Sequence, residues 1–136
     1  MEQLVQKLTI AIATDDGNNF MDRHFGDAQY YDIYRLDSEE AVLTHRLNNT
    51  TDEESDLHAD PKKAGSISSL LLQEGVQVVE AKVFGPNIKR IKKKFVCVVI
   101  RNMTVSQSLE QLRQHYQELL AAWEDGEERR ILTYTG

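Results

Sequence analysis

The sequence predicts one α/β domain built on a mixed five-stranded sheet flanked by helices, with elements in the order β-β-β-α-β-α-β-α. Residues 8–14 and 95–100 are almost purely apolar, which is typical of strands covered on both faces. Residues 28–36 and 41–47 are β-prone and are separated by four polar residues, as in an antiparallel hairpin. Strands that alternate with helical patterns in the second half predict right-handed crossovers and parallel pairing.

The first half of the chain supplies the central strand and the hairpin. Residues 8–14 alternate large and small apolar side chains, and so we expect them to lie in the middle of the sheet. The hairpin adds an antiparallel edge to it. Residues 48–60 then turn polar and acidic, which predicts a connection within the domain rather than a boundary between domains.

The next predicted element is a helix that begins at Pro61. Asp60 is suited to the N-cap, proline is harmless at the first helical position, and Gly75 can end the helix. Its apolar face consists of Ala64, Ile67, Leu70 and Leu71. Residues 77–83 are the following predicted strand.

Two further helices complete the predicted fold. Gly85-Pro86 opens a short helix that extends to about Lys93. Thr104 and Gln107 have the spacing of a capping box. They begin the most strongly periodic segment of the chain, whose apolar stripe runs to Trp123.

Length and composition fit one compact domain. A chain of 136 residues, 40% of them hydrophobic and 28% charged, is typical of a soluble globular protein, and no apolar run approaches the roughly 20 residues of a membrane span. We predict a single domain over residues 1–124 and a charged C-terminal extension of unknown structure over 125–136. The N-terminus lacks the features of a secretory signal, and so we expect a cytoplasmic protein.

Charge and cysteine content exclude several functional classes. The formal net charge of −6 argues against generic nucleic-acid binding, which depends mainly on neutralising phosphates. Cys97 is the only cysteine, so one chain can form neither an internal disulfide nor a cysteine-based metal cage. Because it lies in an apolar run, we interpret it as a buried core residue.

The segment Asp15–Gly26, directly after the first strand, carries the most unusual chemistry of the chain. It is longer than a simple connection requires, and long loops on a rigid scaffold often hold binding residues. Ligands of open α/β sheets bind beyond the carboxyl ends of the parallel strands. We therefore expect this loop to meet the Gly85-Pro86 turn and residues 101–103 at that edge.

His24 is the strongest candidate ligand, because neutral imidazole is a good metal donor and follows the central strand here. His58 precedes the helix at Pro61 and can turn toward the same site. His45 and His115 are interpreted as structural or exposed. One or two histidines are too few for a closed metal site, so a metal must arrive inside a larger ligand or be shared between chains.

Positive charge is concentrated where two helices begin. Lys62 and Lys63 lie in the first turn of the helix at Pro61, where they oppose the helix macrodipole unless an anion is near. A second set flanks the Gly85-Pro86 turn and consists of Lys82, Lys89, Arg90, Lys92, Lys93 and Lys94. We expect these cations to attract an anionic ligand, although each lysine alone also fits a solvated surface.

An alternative interpretation assigns Asp15, Asp16 and Asp22 to a Mg²⁺ site for phosphoryl chemistry. It requires another inward carboxylate at the end of a neighbouring strand, and Glu80 lies near the middle of its strand. No phosphate-loop, dinucleotide-binding, nucleophile-elbow or zinc-protease motif occurs. The residues therefore give catalysis little support.

Four features in order make the chain resemble the dinitrogenase iron–molybdenum cofactor biosynthesis family, which includes the nitrogen-fixation cofactor carriers. They are the first strand followed by Asp15-Asp16-Gly17, the His-Phe-Gly-Asp-Ala signature with Tyr-Asp-Ile-Tyr within residues 23–34, the strand entry at 75–79, and Phe84-Gly85-Pro86 before a short helix and a valine-rich strand. The resemblance extends from about Lys7 to Leu120.

The resemblance implies a ribonuclease-H-like α/β fold and a non-catalytic protein that binds or carries an iron–sulfur or iron–molybdenum cofactor precursor. It implies that His24 contacts the metal of this anionic cargo. The expected cofactor contacts around it are Arg23, Phe25, Gly26, His58, Lys62, Gly85 and Pro86.

The expected partners are proteins that donate or accept the metal–sulfur cluster, and neither nucleic acid nor a membrane. A homodimer that shares two histidines would ease the shortage of ligands. Two alternatives stay open: a regulatory or scaffold module that binds a protein partner without a cluster, and a Mg²⁺-dependent nuclease-like enzyme that uses Asp15 and Asp16.

Overall fold

The structure is a computed structural model that describes residues 6–49 and 61–136, with the backbone alone for residues 61–66. The strands are β1 (Leu8–Thr14), β2 (Tyr30–Leu36), β3 (Ala41–Asn48), β4 (Val78–Ala81), β5 (Val96–Arg101) and β6 (Leu132–Thr135). The α-helices are α1 (Pro61–Gln73), α2 (Ile88–Ile91), α3 (Val105–Gln114) and α4 (Tyr116–Glu124). No helix in these ranges is long and apolar enough to cross a lipid bilayer.

The strands form one mixed sheet in the order β3-β2-β1-β4-β5-β6. β2 is antiparallel to both β1 and β3, so the predicted hairpin is confirmed. β1, β4, β5 and β6 are parallel to one another. All seven residues of β1 are buried, as expected for an apolar strand with neighbours on both sides and helices on both faces.

Helices cover both faces of the sheet and give the domain two hydrophobic cores. On the face that we call the α1 face, Leu71 of α1 and Ile91 of α2 pack with Ala13 of β1. On the opposite face, the α3 face, Leu112 of α3 packs with Ile12 of β1. Because side chains alternate along a strand, β1 directs its alanines to one core and its isoleucines to the other.

The prediction of five strands is wrong, because the sheet has a sixth strand within the residues described. β6 pairs in parallel with β5, with Ile100 opposite Tyr134. Leu132 and Tyr134 are buried in the core of the α3 face, whereas Thr133 and Thr135 are exposed. This alternation is the ordinary signal of an edge strand. Because this strand has only four residues and follows a charged segment, the sequence analysis did not assign it.

The helix termini follow the sequence signals. Thr104 and Gln107 form the predicted capping box, in which each side chain accepts a hydrogen bond from the backbone N–H of the other residue. Gly75 has φ +76°, the left-handed conformation that commonly follows a helix. The predicted N-cap, Asp60, lies outside the described residues.

The long C-terminal helix of the sequence analysis is divided into α3 and α4 at His115. Nδ1 of His115 lies 2.9 Å from the carbonyl oxygen of Gln111. A side chain that competes for a helical carbonyl is a common cause of a local bend, and apolar periodicity does not reveal it. The division leaves Leu112 and Leu119 in the same core.

Candidate functional site

The candidate site lies at the carboxyl ends of the parallel strands, where the sequence places it. His24 forms an isolated parallel β-bridge with Val83, just beyond the end of β4. Its carbonyl oxygen accepts a hydrogen bond from the backbone N–H of Asp27 at 2.8 Å, which starts the 3₁₀ turn Phe25–Asp27. The loop of residues 15–26, called the His24 loop below, therefore crosses from the end of β1 to the end of β4.

The imidazole of His24 lies against the backbone of Gly85. A Cβ atom built on Gly85 would lie 2.6 Å from Nδ1 and 2.7 Å from Cγ of His24, closer than real Cβ atoms approach other atoms. Gly85 also has φ +82°, which favours glycine independently of the space available. The predicted proximity of His24 and the Gly85-Pro86 turn is thus confirmed, and Gly85 is required for two separate physical reasons.

The His24 ring is half-buried and makes no hydrogen bond to any other described residue. Its ring nitrogens are therefore not committed to structural contacts within residues 6–49 and 67–136. An uncommitted, partly exposed imidazole held by packing alone is suited to bind a ligand. This is the principal chemical feature of the site.

Phe25 anchors the loop directly after His24. Its side chain is 2% exposed and packs between the rings of Phe84 and Tyr31, with centroid distances of 5.3 and 5.2 Å. The Tyr31 hydroxyl donates a hydrogen bond to the Phe25 carbonyl oxygen at 2.7 Å. Phe25 therefore supports His24 from the core of the α1 face, and its buried side chain is not exposed at the surface where a ligand would bind.

Gly26 is fixed through its backbone. The Asn49 side chain donates hydrogen bonds from Nδ2 to the carbonyl oxygens of Gly26 at 3.0 Å and Ala28 at 2.8 Å. The Asn49 backbone N–H also bonds to the Gln29 carbonyl oxygen at 2.9 Å. The end of β3 thus supports the His24 loop, a role for Asn49 and for Tyr31 that the sequence analysis missed, because a tyrosine in a strand and an asparagine after one carry no specific signal.

Arg23 points to a carboxylate of its own loop. Its Nη2 lies 2.8 and 2.7 Å from the two carboxylate oxygens of Asp15, and it also donates to the Asp27 carbonyl oxygen at 3.2 Å. Asp15 additionally accepts the backbone N–H of Gln29 at 3.0 Å. Half of the Arg23 side chain is exposed, so an approaching anion can still reach it while Asp15 holds its position.

The acidic residues of the loop do not gather into a cation site. Asp16 accepts backbone N–H groups of Asn18 and Asn19, both at 2.8 Å, and these bonds lower the pKa of its carboxyl. Asp22 forms an ion pair with Lys82, which lowers the pKa of Asp22. No group of three or more potential metal ligands occurs among the residues described.

The His24 loop is also tied to α3. The backbone N–H of Val105, at the first turn of α3, donates to the carbonyl oxygen of Asn18 at 2.9 Å. The turn after β5 therefore joins the same edge of the sheet, as expected for residues 101–103.

The start of the His24 loop also contacts an ion pair. Gly17, with φ +82°, lies against the ion pair of Arg46 with buried Asp32, which has N–O distances of 2.7 and 3.1 Å.

The predicted cations follow the Gly85-Pro86 turn along α2. Lys82 is paired with Asp22, and Lys92 donates to the carbonyl oxygen of Arg129 at 3.1 Å. The remaining members of the set are exposed and have no ion pair with any described residue: Lys89, Arg90, Lys93 and Lys94. No aspartate or glutamate occurs between residues 81 and 109, so this segment of an acidic protein is basic.

Three predicted site residues contribute little that can be measured from the described atoms. Pro86 is exposed beside Gly85. Lys62 lies in the first turn of α1, but its side chain is outside the described residues. His58 also lies outside them.

Two further features are separate from His24. A groove of about 420 Å³ lies between the start of α3 and the His24 loop on the α3 face, lined by Gly17, Asn18, Asn19, Tyr34, Thr104, Val105, Ser106 and Leu109. It contains none of the predicted site residues. Cys97 is fully buried, which raises the pKa of its thiol to about 12 and keeps its sulfur inside the core, away from a ligand at the edge of the sheet.

Comparison with known proteins shows the family and the fold. A family model described as dinitrogenase iron-molybdenum cofactor matches residues 6–116. The 1.70 Å crystal structure of a candidate dinitrogenase from Methanocaldococcus jannaschii is similar, with TM-score 0.57 and 21% identity over 80% of this chain and 90% of that chain. An NMR structure of a candidate dinitrogenase from Methanococcus jannaschii gives TM-score 0.54 and 20% identity over 81% and 90%. At these identities, the two structures show a shared fold alone. No curated protein matches the chain by sequence.

Proposed function

Because the chain belongs to the dinitrogenase iron–molybdenum cofactor family, we propose that it binds and carries an anionic iron–sulfur cluster or iron–molybdenum cofactor precursor through the imidazole of His24. The observation that carries the proposal is the half-buried ring of His24, packed on Gly85 with no hydrogen bond to another described residue. Such a ring can donate a nitrogen lone pair to iron without losing a structural contact.

The donor set fits a cargo that brings most of its own ligands. His24 offers one nitrogen, Cys97 is sealed in the core, and the described residues contain no group of three metal ligands. A site whose described residues offer one donor is not equipped to assemble a cluster from free ions, but it can occupy an open coordination position of a cluster that has already formed. The cargo is therefore bound loosely enough to be passed to another protein.

The charge around the site supports an anionic cargo. Metal–sulfur clusters with thiolate or sulfide ligands carry net negative charge, and the Arg23 guanidinium lies one residue from His24. The exposed cations Lys89 and Arg90 of α2, which have no ion pair with a described residue, begin four residues beyond Gly85. Positive charge of this kind raises the local concentration of an anion and its rate of association, even on a protein of net charge −6.

In this proposal the protein has no reaction of its own. Asp15, Asp16 and Asp22 are each committed to neighbouring groups, so a Mg²⁺-dependent enzyme would first have to break these contacts. The ribonuclease-H-like name refers to the arrangement of the sheet and remains a prediction. The partners we propose are the proteins that donate and accept the cluster.

Anaerobic reconstitution tests the proposal. The protein is incubated with iron, sulfide and a thiol, or with a preformed cluster, desalted, and examined for visible absorption and iron content. We expect a coloured complex whose yield falls at least tenfold in His24→Ala. The matched control is His45→Ala, because His45 is an exposed histidine on β3 whose ring pairs with Glu74 at 2.8 Å and with no residue of the His24 loop among those described.

Each alternative gives a different outcome. A colourless protein whose partner binding survives in His24→Ala would replace the carrier with a scaffold function. Metal-dependent cleavage of RNA or DNA that disappears in Asp15→Asn would replace it with an enzyme. One cluster per two chains, with both His24 residues required, would assign the cargo to a homodimer that shares it.

A further inference from the structure

Glu80 is a buried carboxyl group that the proposed function does not use. It lies on β4, with Ile12 of β1 and Val98 of β5 as its register partners. Its side chain faces α3 and is 0% exposed. One carboxyl oxygen, Oε2, has no hydrogen-bond partner among the described residues, and the other, Oε1, lies 3.4 Å from Oγ of Ser108 on α3.

The proton of the Ser108 hydroxyl is already committed elsewhere. Ser108 Oγ lies 2.7 Å from the carbonyl oxygen of Val105, a normal distance for a donated O–H···O hydrogen bond. A serine hydroxyl has one proton to donate but can also accept. The contact of Ser108 Oγ with Glu80 Oε1, at 3.4 Å, is longer than a normal O–H···O hydrogen bond, so the serine gives a charged carboxylate little compensation.

The groups that face Glu80 do not supply a counter-charge. They are Ser108 from α3, Tyr34 from β2 and Tyr134 from β6, and burial is the main reason that the pKa of both phenols is raised. Arg46 is already paired with Asp32 on β2. Burial raises the pKa of Glu80 to about 8; the Ser108 hydroxyl opposes this effect, but no lysine or arginine among the described residues does.

A short chain of hydrogen bonds connects this carboxyl group to the His24 loop. Ser108 donates to the carbonyl oxygen of Val105, and the N–H of Val105 donates to the carbonyl oxygen of Asn18. Asn18 lies six residues before His24 in the same loop. The first turn of α3 thus contacts the buried carboxyl on one side and the candidate site on the other.

We propose that Glu80 is held as a neutral carboxylic acid against Ser108, and that loss of its proton loosens the first turn of α3 and its hold on the His24 loop. An ionised carboxylate in this layer has no cation to pair with and draws in water or pushes α3 away. This response depends only on the protonation of Glu80, so the proposal does not depend on whether the cargo is a metal cluster.

Protonation of Glu80 can be measured directly. Infrared difference spectra and carbon-13 carboxyl shifts, recorded from pH 5 to pH 9, should show a protonated carboxyl at pH 7 that is absent in Glu80→Gln. The amide signals of Val105 and Asn18 should titrate with the same midpoint and stay flat in Glu80→Gln. The control Glu74→Gln removes an exposed carboxylate and keeps every histidine, so it should leave both titrations unchanged.

A second variant tests the connection and does not depend on Glu80→Gln folding. Ser108→Ala removes the hydroxyl that lies between Glu80 and the carbonyl oxygen of Val105, so the carboxyl should still titrate while the amide signals of Val105 and Asn18 no longer follow it. An ionised Glu80 at pH 7, Val105 and Asn18 signals that are independent of Glu80 in the wild type, or signals that still follow it in Ser108→Ala would each overturn the proposal.

Discussion

The two faces of the sheet differ in where they place an ionisable side chain. The core of the α1 face contains the phenol of Tyr31 and the thiol of Cys97 among apolar side chains, but no carboxyl group, and its imidazole, His24, lies at the rim beyond the strand ends. The core of the α3 face contains a carboxyl group, Glu80, in the interior of the sheet. The α1 face thus leaves the imidazole of His24 partly exposed to solvent, whereas the α3 face buries the carboxyl group of Glu80.

This difference separates groups that can bind a ligand from groups that can respond only to protons. His24 is supported by Phe25 and Gly85 without losing its ring nitrogens to hydrogen bonds with described residues. Glu80 has no path to a ligand, and its environment decides only whether it carries charge. The comparison predicts that damage to the α1 face changes ligand binding, whereas damage to the α3 face changes stability first.

The largest effect is expected from removing the ring beneath His24. Phe25→Ala deletes a side chain that packs between Tyr31 and Phe84, and truncation of a buried phenylalanine costs about 3–5 kcal/mol of unfolding free energy. Its matched control on the α3 face is Leu112→Ala, with an expected cost of about 2–5 kcal/mol. Denaturant unfolding measures both costs.

The two truncations should differ in cluster uptake at temperatures where both variants remain folded. Phe25→Ala should lose most of its uptake, because the backbone after His24 loses its anchor. Leu112→Ala should retain uptake near the wild-type level. Equal losses would mean that binding depends on overall stability and not on the packing of the α1 face.

The next effect is a pH dependence of stability that belongs to the α3 face alone. The pKa of Glu80 is raised from 4.5 to about 8 in the folded state, so between these values the folded protein binds more protons than the unfolded chain. Its unfolding free energy should therefore fall with rising pH in that window, by at most about 1.4 kcal/mol per pH unit, and become independent of this group above it.

Glu80→Gln isolates this contribution. The difference in unfolding free energy between wild type and variant should slope across pH 5–8 and level off above it, because all other titrating groups are present in both proteins. The measurement is denaturant unfolding at several pH values. A constant difference would show that Glu80 has the same pKa in the folded and unfolded states.

A pair of glycines then separates backbone strain from contact with His24. Gly85 and Gly75 have nearly the same φ, +82° and +76°, but only Gly85 lies against a side chain, that of His24. Alanine at either position costs about 1–2 kcal/mol in the left-handed conformation. Gly85→Ala adds the displacement of the imidazole, and overpacking typically costs about 1–3 kcal/mol more.

The readouts are unfolding free energy and cluster uptake in both glycine variants. Gly75→Ala should lose stability but keep uptake, because nothing lies within 4 Å of its new methyl group. Gly85→Ala should lose both. Retained uptake in Gly85→Ala would mean that the position of the ring on the glycine backbone does not matter for binding.

The sequence predicted those parts of the molecule that depend on local signals. The central strand, the hairpin and the capping box at Thr104 follow from periodicity and from residues three apart, and all are present. The meeting of His24 with Gly85 was predicted because the carboxyl ends of parallel strands share an edge. Rules of this kind need no knowledge of side-chain packing.

The parts that the sequence did not predict depend on contacts between distant residues. β6 was missed because its four residues become a strand only by pairing with β5. The break at His115 depends on one side chain and one carbonyl oxygen. The support of the His24 loop by Tyr31 and Asn49 depends on backbone carbonyls, which have no residue signature. Such contacts become apparent only when the folded structure is known.

The smallest effect expected is that of a single hydroxyl on the α1 face. Tyr31→Phe keeps the buried ring but removes the hydrogen bond to the Phe25 carbonyl oxygen, and that oxygen has few other partners in an apolar core. The expected loss is about 1 kcal/mol, up to about 3 kcal/mol if the carbonyl remains unsatisfied. The control is Tyr30→Phe, which keeps its ring under the guanidinium of Arg46.

Unfolding free energy should therefore fall in Tyr31→Phe and stay within about 0.5 kcal/mol of wild type in Tyr30→Phe. Amide exchange at Phe25 and Gly26 should accelerate in the first variant alone, because the lost bond lies directly after His24. If exchange there is unchanged while stability falls, the hydroxyl supports the core and not the loop. The α1 face would then resemble the α3 face, with a buried polar group that has no connection to the edge where a ligand binds.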